Sequence, residues 1–161
     1  MSAGGPLARP ISEYLPRLKS ALAARGVILA YLYGSQVAGT AGPLSDVDLA
    51  VLFRPDLNPG ERARNQMALH HELAAIFDRP DVFVADLAMG TPLFKDEVRR
   101  GGQIIYCRDE ADRVEFQVRT LQEFVDTEPL RRIRNAYLLE RIEQGALGRY
   151  MPKKEVASGK S

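Results

Sequence analysis

Two short apolar runs constrain this chain more than any other feature. The first, Val27–Tyr33, stops at Gly34-Ser35; the second opens on Asp46 and Asp48 and continues to Phe53. Both are too short for helices and are bounded by turn-forming residues, so they read as strands. The connection from Gly34 to Ser45 holds three glycines and a proline, which predicts turns and close backbone approach instead of a regular element. In an extended chain, residues two apart share a face with Cα atoms roughly 6.5–7 Å apart. Asp46 and Asp48 therefore present two carboxylates side by side, while Val47, Leu49, Val51 and Phe53 alternate to the other face. Charge at the start of a buried strand is costly unless it meets a cation. Hard divalent cations such as Mg2+ take oxygen ligands and leave positions for substrate phosphates. Gly34 lets the backbone approach a phosphate, and Ser35 has a hydroxyl and an amide to donate. Either motif alone is an ordinary turn or strand entry; their joint placement points to a metal–phosphate site.

The remaining chain supplies elements around this pair. A helix from Ser12, with Ser12 as its cap, carries Tyr14/Leu15, Leu18 and Leu22 and stops at Gly26. After a break at Pro55–Pro59, a helix over 61–77 places Ala63, Met67, Leu73 and Ile76/Phe77 on one side. Asp81–Leu87 is a third strand, rich in β-branched and aromatic residues. Thr91-Pro92 opens a short helix over 92–100 that Gly101 stops, and Gln103–Cys107 is a fourth strand. Ala111, Val114, Val118, Leu121 and Phe124/Val125 form a helical stripe; Pro129 interrupts it, and a last helix carries Leu130, Ile133, Tyr137 and Ile142. The expected architecture is α+β: a small mixed β-sheet flanked by helices, with a C-terminal helical pair. The expected organisation is a flexible N-terminus over 1–11, a domain over 12–108, helices over 109–148 packed on the domain or a partner, and a flexible tail over 149–161.

Composition removes several classes of function. The 161 residues suffice for one ordinary domain. With 22 basic and 21 acidic residues the net charge is +1, against the basic excess of a domain that grips nucleic acid by its backbone. Arg131, Arg132 and Arg134 read as a solvated helix face. No stretch approaches the ~20 apolar residues of a membrane span, and the N-terminus does not read as a secretion signal. The single cysteine, Cys107, reads as a small buried hydrophobe and is compatible with a reducing cytoplasm. His70 and His71 read as packing residues, no Cys/His spacing suggests zinc, and Tyr31 and Tyr33 read as core.

Gly34-Ser35, ten residues, then Asp46-Val47-Asp48-Leu49 resembles the signature of the polymerase-β-like nucleotidyltransferases. In particular it is similar to the minimal nucleotidyltransferases (MNT proteins) that act as antitoxins beside HEPT-domain toxins. The resemblance covers roughly residues 12–148, including Thr91–Val98 and the late pair around Arg119 to Gly148. It implies that Gly34 and Ser35 bind the triphosphate of ATP and that Asp46 and Asp48 hold Mg2+. It further implies attack of a hydroxyl on the α-phosphate with loss of pyrophosphate, AMP passing to a tyrosine of the partner toxin in a hetero-oligomer.

One departure bears on turnover. Relatives commonly read Asp-Val-Asp-Leu-Val-Asp-Leu at the later strand, where this chain reads Asp81-Val-Phe83-Val-Ala-Asp86-Leu. Phe83 stands at the usual place of a third carboxylate. By alternation Asp81 shares its face and Asp86 does not, so Asp81 is the one substitute for a third catalytic carboxylate. Its alternative role is plain strand entry after Pro80. Two further readings therefore stand beside the adenylyltransferase: a weakened nucleotidyltransferase fold that neutralises its partner by occlusion, and an aminoglycoside-type small-molecule nucleotidyltransferase.

Overall fold

The structure, a computed structural model, describes residues 4–145. The expected tail over 149–161 and the end of the expected helical pair lie outside the described residues. The chain divides into a unit up to Val125 and a second from Asp126.

The first unit runs α1 (Ile11–Ala24), β1 (Val27–Tyr33), a single helical turn α2 (Ser35–Ala38), β2 (Val47–Phe53), α3 (Pro59–Phe77), β3 (Val82–Asp86), α4 (Pro92–Gly101), β4 (Gln103–Cys107) and α5 (Glu110–Asp126). The sheet order is β3-β2-β1-β4. β1 is antiparallel to β2 and β4, and β2 is parallel to β3, with α3 as the crossover that a parallel pair requires. This is the mixed sheet of the expected α+β class. In the second unit, α6 (Glu128–Glu143) carries Pro129 in its first turn. Arg132 pairs along it with Glu128 (2.6 Å), in keeping with a solvated arginine cluster.

The alternation read from β2 holds. Val47, Leu49, Val51 and Phe53 are buried with Leu18 and Leu22 of α1 and Leu69, Leu73 and Phe77 of α3. The opposite sheet face buries Tyr31 and Ala50 with Val98 of α4 and Phe116 of α5. Asp48 is on this second face, at the end of β2 where the α4–α5 cover thins out.

Several expectations change. Ser12 lies inside α1, whose N-cap is Pro10 with no side-chain cap. The stretch after Gly34 forms a helical turn where only loop was expected. α3 starts at Pro59, because Asn58 and Glu61 form a reciprocal capping box with Asn58 accepting from Glu61 N (2.9 Å) and Glu61 from Asn58 N (2.8 Å). Its buried stripe is Leu69, Leu73 and Phe77, spaced by four; Met67, expected inside, is 68% exposed. β3 stops at Asp86 because the Asp86 side chain accepts from Ala88 N (2.9 Å) and turns the chain into a 3-10 turn, Leu87–Met89. α5 buries Phe116 and Thr120, leaving Val114, Val118, Leu121 and Val125 exposed. Residues 4–7, read as part of a loose N-terminus, are hydrogen-bonded to Gln36, Arg79 and Asp81.

Candidate functional site

The strand registers bring the site together. β1 pairs Tyr33 with Asp48, and β2 pairs Asp48 with Phe83. Paired residues on neighbouring strands share a face, so Tyr33, Asp48 and Phe83 form one row across three strands. Asp46 lies just before β2, and its negative charge reaches Asp48. The Phe94 ring of α4 meets Tyr33 edge-on, with centroids 5.5 Å apart. That helix is set by Thr91, whose hydroxyl accepts from Phe94 N (3.2 Å).

Gly34 closes β1 with a φ of 74°, a conformation that favours glycine. A Cβ built there would lie 2.8 Å from Asp48 Oδ2. The Gly34-Ser35 turn thus sits directly against the carboxylate of Asp48, 13 positions after Ser35 in the chain. Ser35 opens α2, a turn closed by Val37 N and Ala38 N donating to Gly34 O (3.2 and 3.1 Å).

The electrostatics fit two anions lacking a cation. Burial holds the Asp48 carboxyl above the usual carboxylate range, and the charge of Asp46 raises it further. The Tyr33 hydroxyl is pushed up by burial and then by Asp48. A bound divalent cation would reverse the penalty on the Asp48 carboxylate. Among the described residues no group of three or more His, Cys, Asp or Glu is arranged to hold a metal; the carboxylates that lie near each other at this turn are Asp46 and Asp48.

Asp81 does not join that pair as a free ligand. Arg79 Nε donates to its Oδ1 (2.8 Å), Arg79 Nη2 also meets Oδ2, and Gly4 N donates to Oδ2 (2.8 Å). These bonds, the Arg79 contact first, lower its pKa to about 2. The carboxylate expected as a doubtful third catalytic group is therefore committed to anchoring the start of β3. Asp86 faces the other way, toward Arg62 (3.7 Å). Phe83 occupies the position beside Asp48 and is 55% exposed.

Other sequence assignments resolve simply. Tyr31 is core, against Phe116 at 6.0 Å. Tyr33, read as core, instead borders the site. His70 and His71 face each other on α3 with ring centroids 5.5 Å apart. Cys107 is only partly buried, and its thiol donates to Asp109 O (3.1 Å). Gln36 and Arg79 were not singled out by sequence reasoning. The available signal was Gly4-Gly5, where φ values of 82° and 100° demand glycine under the loop that the two side chains hold.

Comparisons with known proteins bear on the family and the fold. The family model described as "Polymerase beta, Nucleotidyltransferase" matches residues 17–111. No curated protein matches the chain. A toxin-antitoxin crystal structure with AMP-PNP is 24% identical with a TM-score of 0.66, covering 78% of this chain and 98% of that one. A tri-AMPylated Shewanella oneidensis HEPN toxin in complex with MNT antitoxin gives 21% identity and a TM-score of 0.63, covering 80% and 98%. An MntA-HepT toxin-antitoxin complex gives 21% and 0.62 over the same shares. At these identities the likeness is one of fold. The family match is broader evidence, running from α1 through the whole sheet to the start of α5. The chain belongs to the polymerase beta nucleotidyltransferase family.

Proposed function

We propose that this chain is an Mg2+- and ATP-dependent nucleotidyltransferase, the antitoxin of a HEPT/MNT toxin–antitoxin pair, which transfers AMP from ATP to a tyrosine of its partner toxin. The observation that carries the reading is the close approach of the Gly34 turn to Asp48: a Cβ on Gly34 would stand only 2.8 Å from Asp48 Oδ2. The fold relatives support it: one was crystallised with AMP-PNP and another sits beside a tri-AMPylated toxin. A variant of the MntA–HepT complex replaces two aspartates two positions apart with glutamate, the spacing of Asp46 and Asp48.

The donor set suits Mg2+, which takes one or two carboxylates plus substrate phosphates and supplies charge neutralisation at the transferring phosphoryl group. Asp46 and Asp48 are the oxygen ligands. Gly34 gives the phosphates room, and Ser35 donates to them through its hydroxyl and amide. Tyr33 and Phe94 border the aspartate pair on one side. The acceptor tyrosine oxygen would bond the α-phosphorus as the bond to pyrophosphate breaks, with the phenolic proton released to solvent. A cytoplasmic setting fits the reading, and no described helix is long and apolar enough to cross a membrane.

Incubation with labelled ATP, Mg2+ and the partner toxin tests it. Label passes to the toxin with the unaltered chain and falls by at least about 100-fold in Asp46→Ala and Asp48→Ala, the scale of losing a main electrostatic group. Unchanged transfer in both variants sinks the reading. Phe83 beside Asp48, with Asp81 engaged elsewhere, favours a second reading: a nucleotide-binding fold that neutralises its partner by occlusion. Protection from the toxin by a chain lacking both aspartates supports that one instead.

A further inference from the structure

Ser35 and Asp46 stand at the two ends of a loop whose middle, Gly39–Leu44, is mostly exposed. A binding constellation must hold its groups within about 0.5 Å of the productive geometry. One helical turn and an exposed loop do not provide that. The support comes from behind. Gln36 Nε2 donates to Gly5 O (2.9 Å) and to Asp46 O (3.2 Å), while its Oε1 accepts from Leu7 N (3.2 Å). Arg79, 4% exposed, donates through Nη1 to the same Gly5 O (2.8 Å) and through Nη2 to Ser45 O (2.7 Å). A planar amide and a planar guanidinium meet at one carbonyl, and each grips one of two consecutive carbonyls leading into β2. Asp81 fixes the guanidinium and accepts from Gly4 N, closing the circuit. Gly4 runs so close beneath the loop that a Cβ on it would lie 2.1 Å from Pro43 O.

We propose that Gly4–Leu7, Gln36 and Arg79 form a brace that positions Asp46 and Asp48 against the Ser35 turn, and so sets the affinity of that site for its divalent cation without touching the cation. The inference rests on the reading of Asp46 and Asp48 as metal ligands. The brace holds backbone, leaving every carboxylate oxygen of the aspartate pair free for a ligand. The Arg79 contact lowers the Asp81 pKa to about 2, so the carboxylate that fixes the guanidinium stays ionised at neutral pH.

Mn2+ suits the same oxygen donors and serves as the probe. Its affinity is measured by titration of the full chain and of Gln36→Ala, Gly4→Ala and Gln66→Ala. Gln66 is the control: its Nε2 donates to Val84 O (2.7 Å), a comparable tie to the same sheet that does not reach the loop. Outer-shell partners typically govern metal affinity by 10–100-fold, so Gln36→Ala and Gly4→Ala weaken Mn2+ by about tenfold or more while Gln66→Ala stays within about twofold. Amide exchange at residues 42–48 rises in Gln36→Ala and not in Gln66→Ala, whereas a general loss of stability would raise both. Wild-type Mn2+ affinity in Gln36→Ala, or equal weakening in Gln36→Ala and Gln66→Ala, overturns the brace. A wild-type chain that takes up no Mn2+ overturns the metal-site reading itself, a failure visible before any variant is made.

Discussion

Asp48 has an aromatic ring on either side of it in the sheet, Tyr33 on β1 and Phe83 on β3. Burial and Asp46 raise its pKa, so the folded chain binds the proton more tightly than the unfolded chain does. Ionising Asp48 therefore costs stability as pH rises through its folded pKa. Without metal at neutral pH, Asp48→Asn should melt above wild type, and the difference should vanish at a pH below the ordinary carboxylate range; paired thermal melts check this. Metal must displace the same proton, so Mn2+ affinity in the wild type should fall with acidity starting above the usual carboxylate pKa. Phe83 gives the opposite kind of test. Because the ring is 55% exposed, Phe83→Asp should cost about 1 kcal/mol or less. It should raise Mn2+ affinity and the rate of label transfer if the third carboxylate is what the site lacks. The family resemblance placed Phe83 at the site, and the register of β2 with β3 sets it beside Asp48; alternation along the strand then put Asp81 on the same face. That was not enough to place the Asp81 carboxylate, which is claimed by Arg79 two residues earlier and by Gly4 77 residues away.

The strands were the most readable elements, since their runs are short, apolar and sharply ended by Gly34 and by the aspartates. Helix faces were less so. On α5 the regular apolar stripe Val114, Val118, Leu121 and Val125 points outward, and the buried side is marked only by Phe116 and Thr120. Periodicity reports that a helix has two sides, but the identity of the buried one depends on the neighbours. The start of β3 shows the same dependence in its energetics. Asp81 is 16% exposed and its pKa is lowered from 3.8 to about 2, mainly by the Arg79 contact. A lowered carboxylate pKa contributes stability that is present above the unfolded value and lost as pH falls through the folded one. The anchoring of β3 should therefore contribute about 2 kcal/mol at neutral pH. That contribution should disappear between about pH 4 and pH 2, the interval spanned by the two pKa values. Denaturant unfolding of Asp81→Asn against wild type over that range should show the gap closing as acid is added.

At the scale of the whole molecule, the sheet face with the aspartate pair and the N-terminal segment behind the loop belong to one unit, and the family match over 17–111 lies within that unit but does not reach the N-terminal segment. The two sheet faces divide the work. The face toward α1 and α3 is closed by aliphatic side chains together with Tyr14, Phe53 and Phe77, while the other packs against α4 and α5, with Tyr33 and Phe94 at the edge of that cluster. The site lies at this edge of the second face. The hydrogen bonds at Gly4 and Gly5 join residues 77 and 74 positions apart in sequence. Contacts of such separation pay their loop-closure entropy before they return anything. During synthesis, the first of these residues leaves the ribosome long before Arg79 and Asp81 exist for it to bind. β1 and β2 can pair in that interval, but the loop between them stays unsupported until the start of β3 has emerged. The scaffold is therefore assembled before the site matures, and Gly4 and Gly5 take their place only after residues made more than seventy positions later.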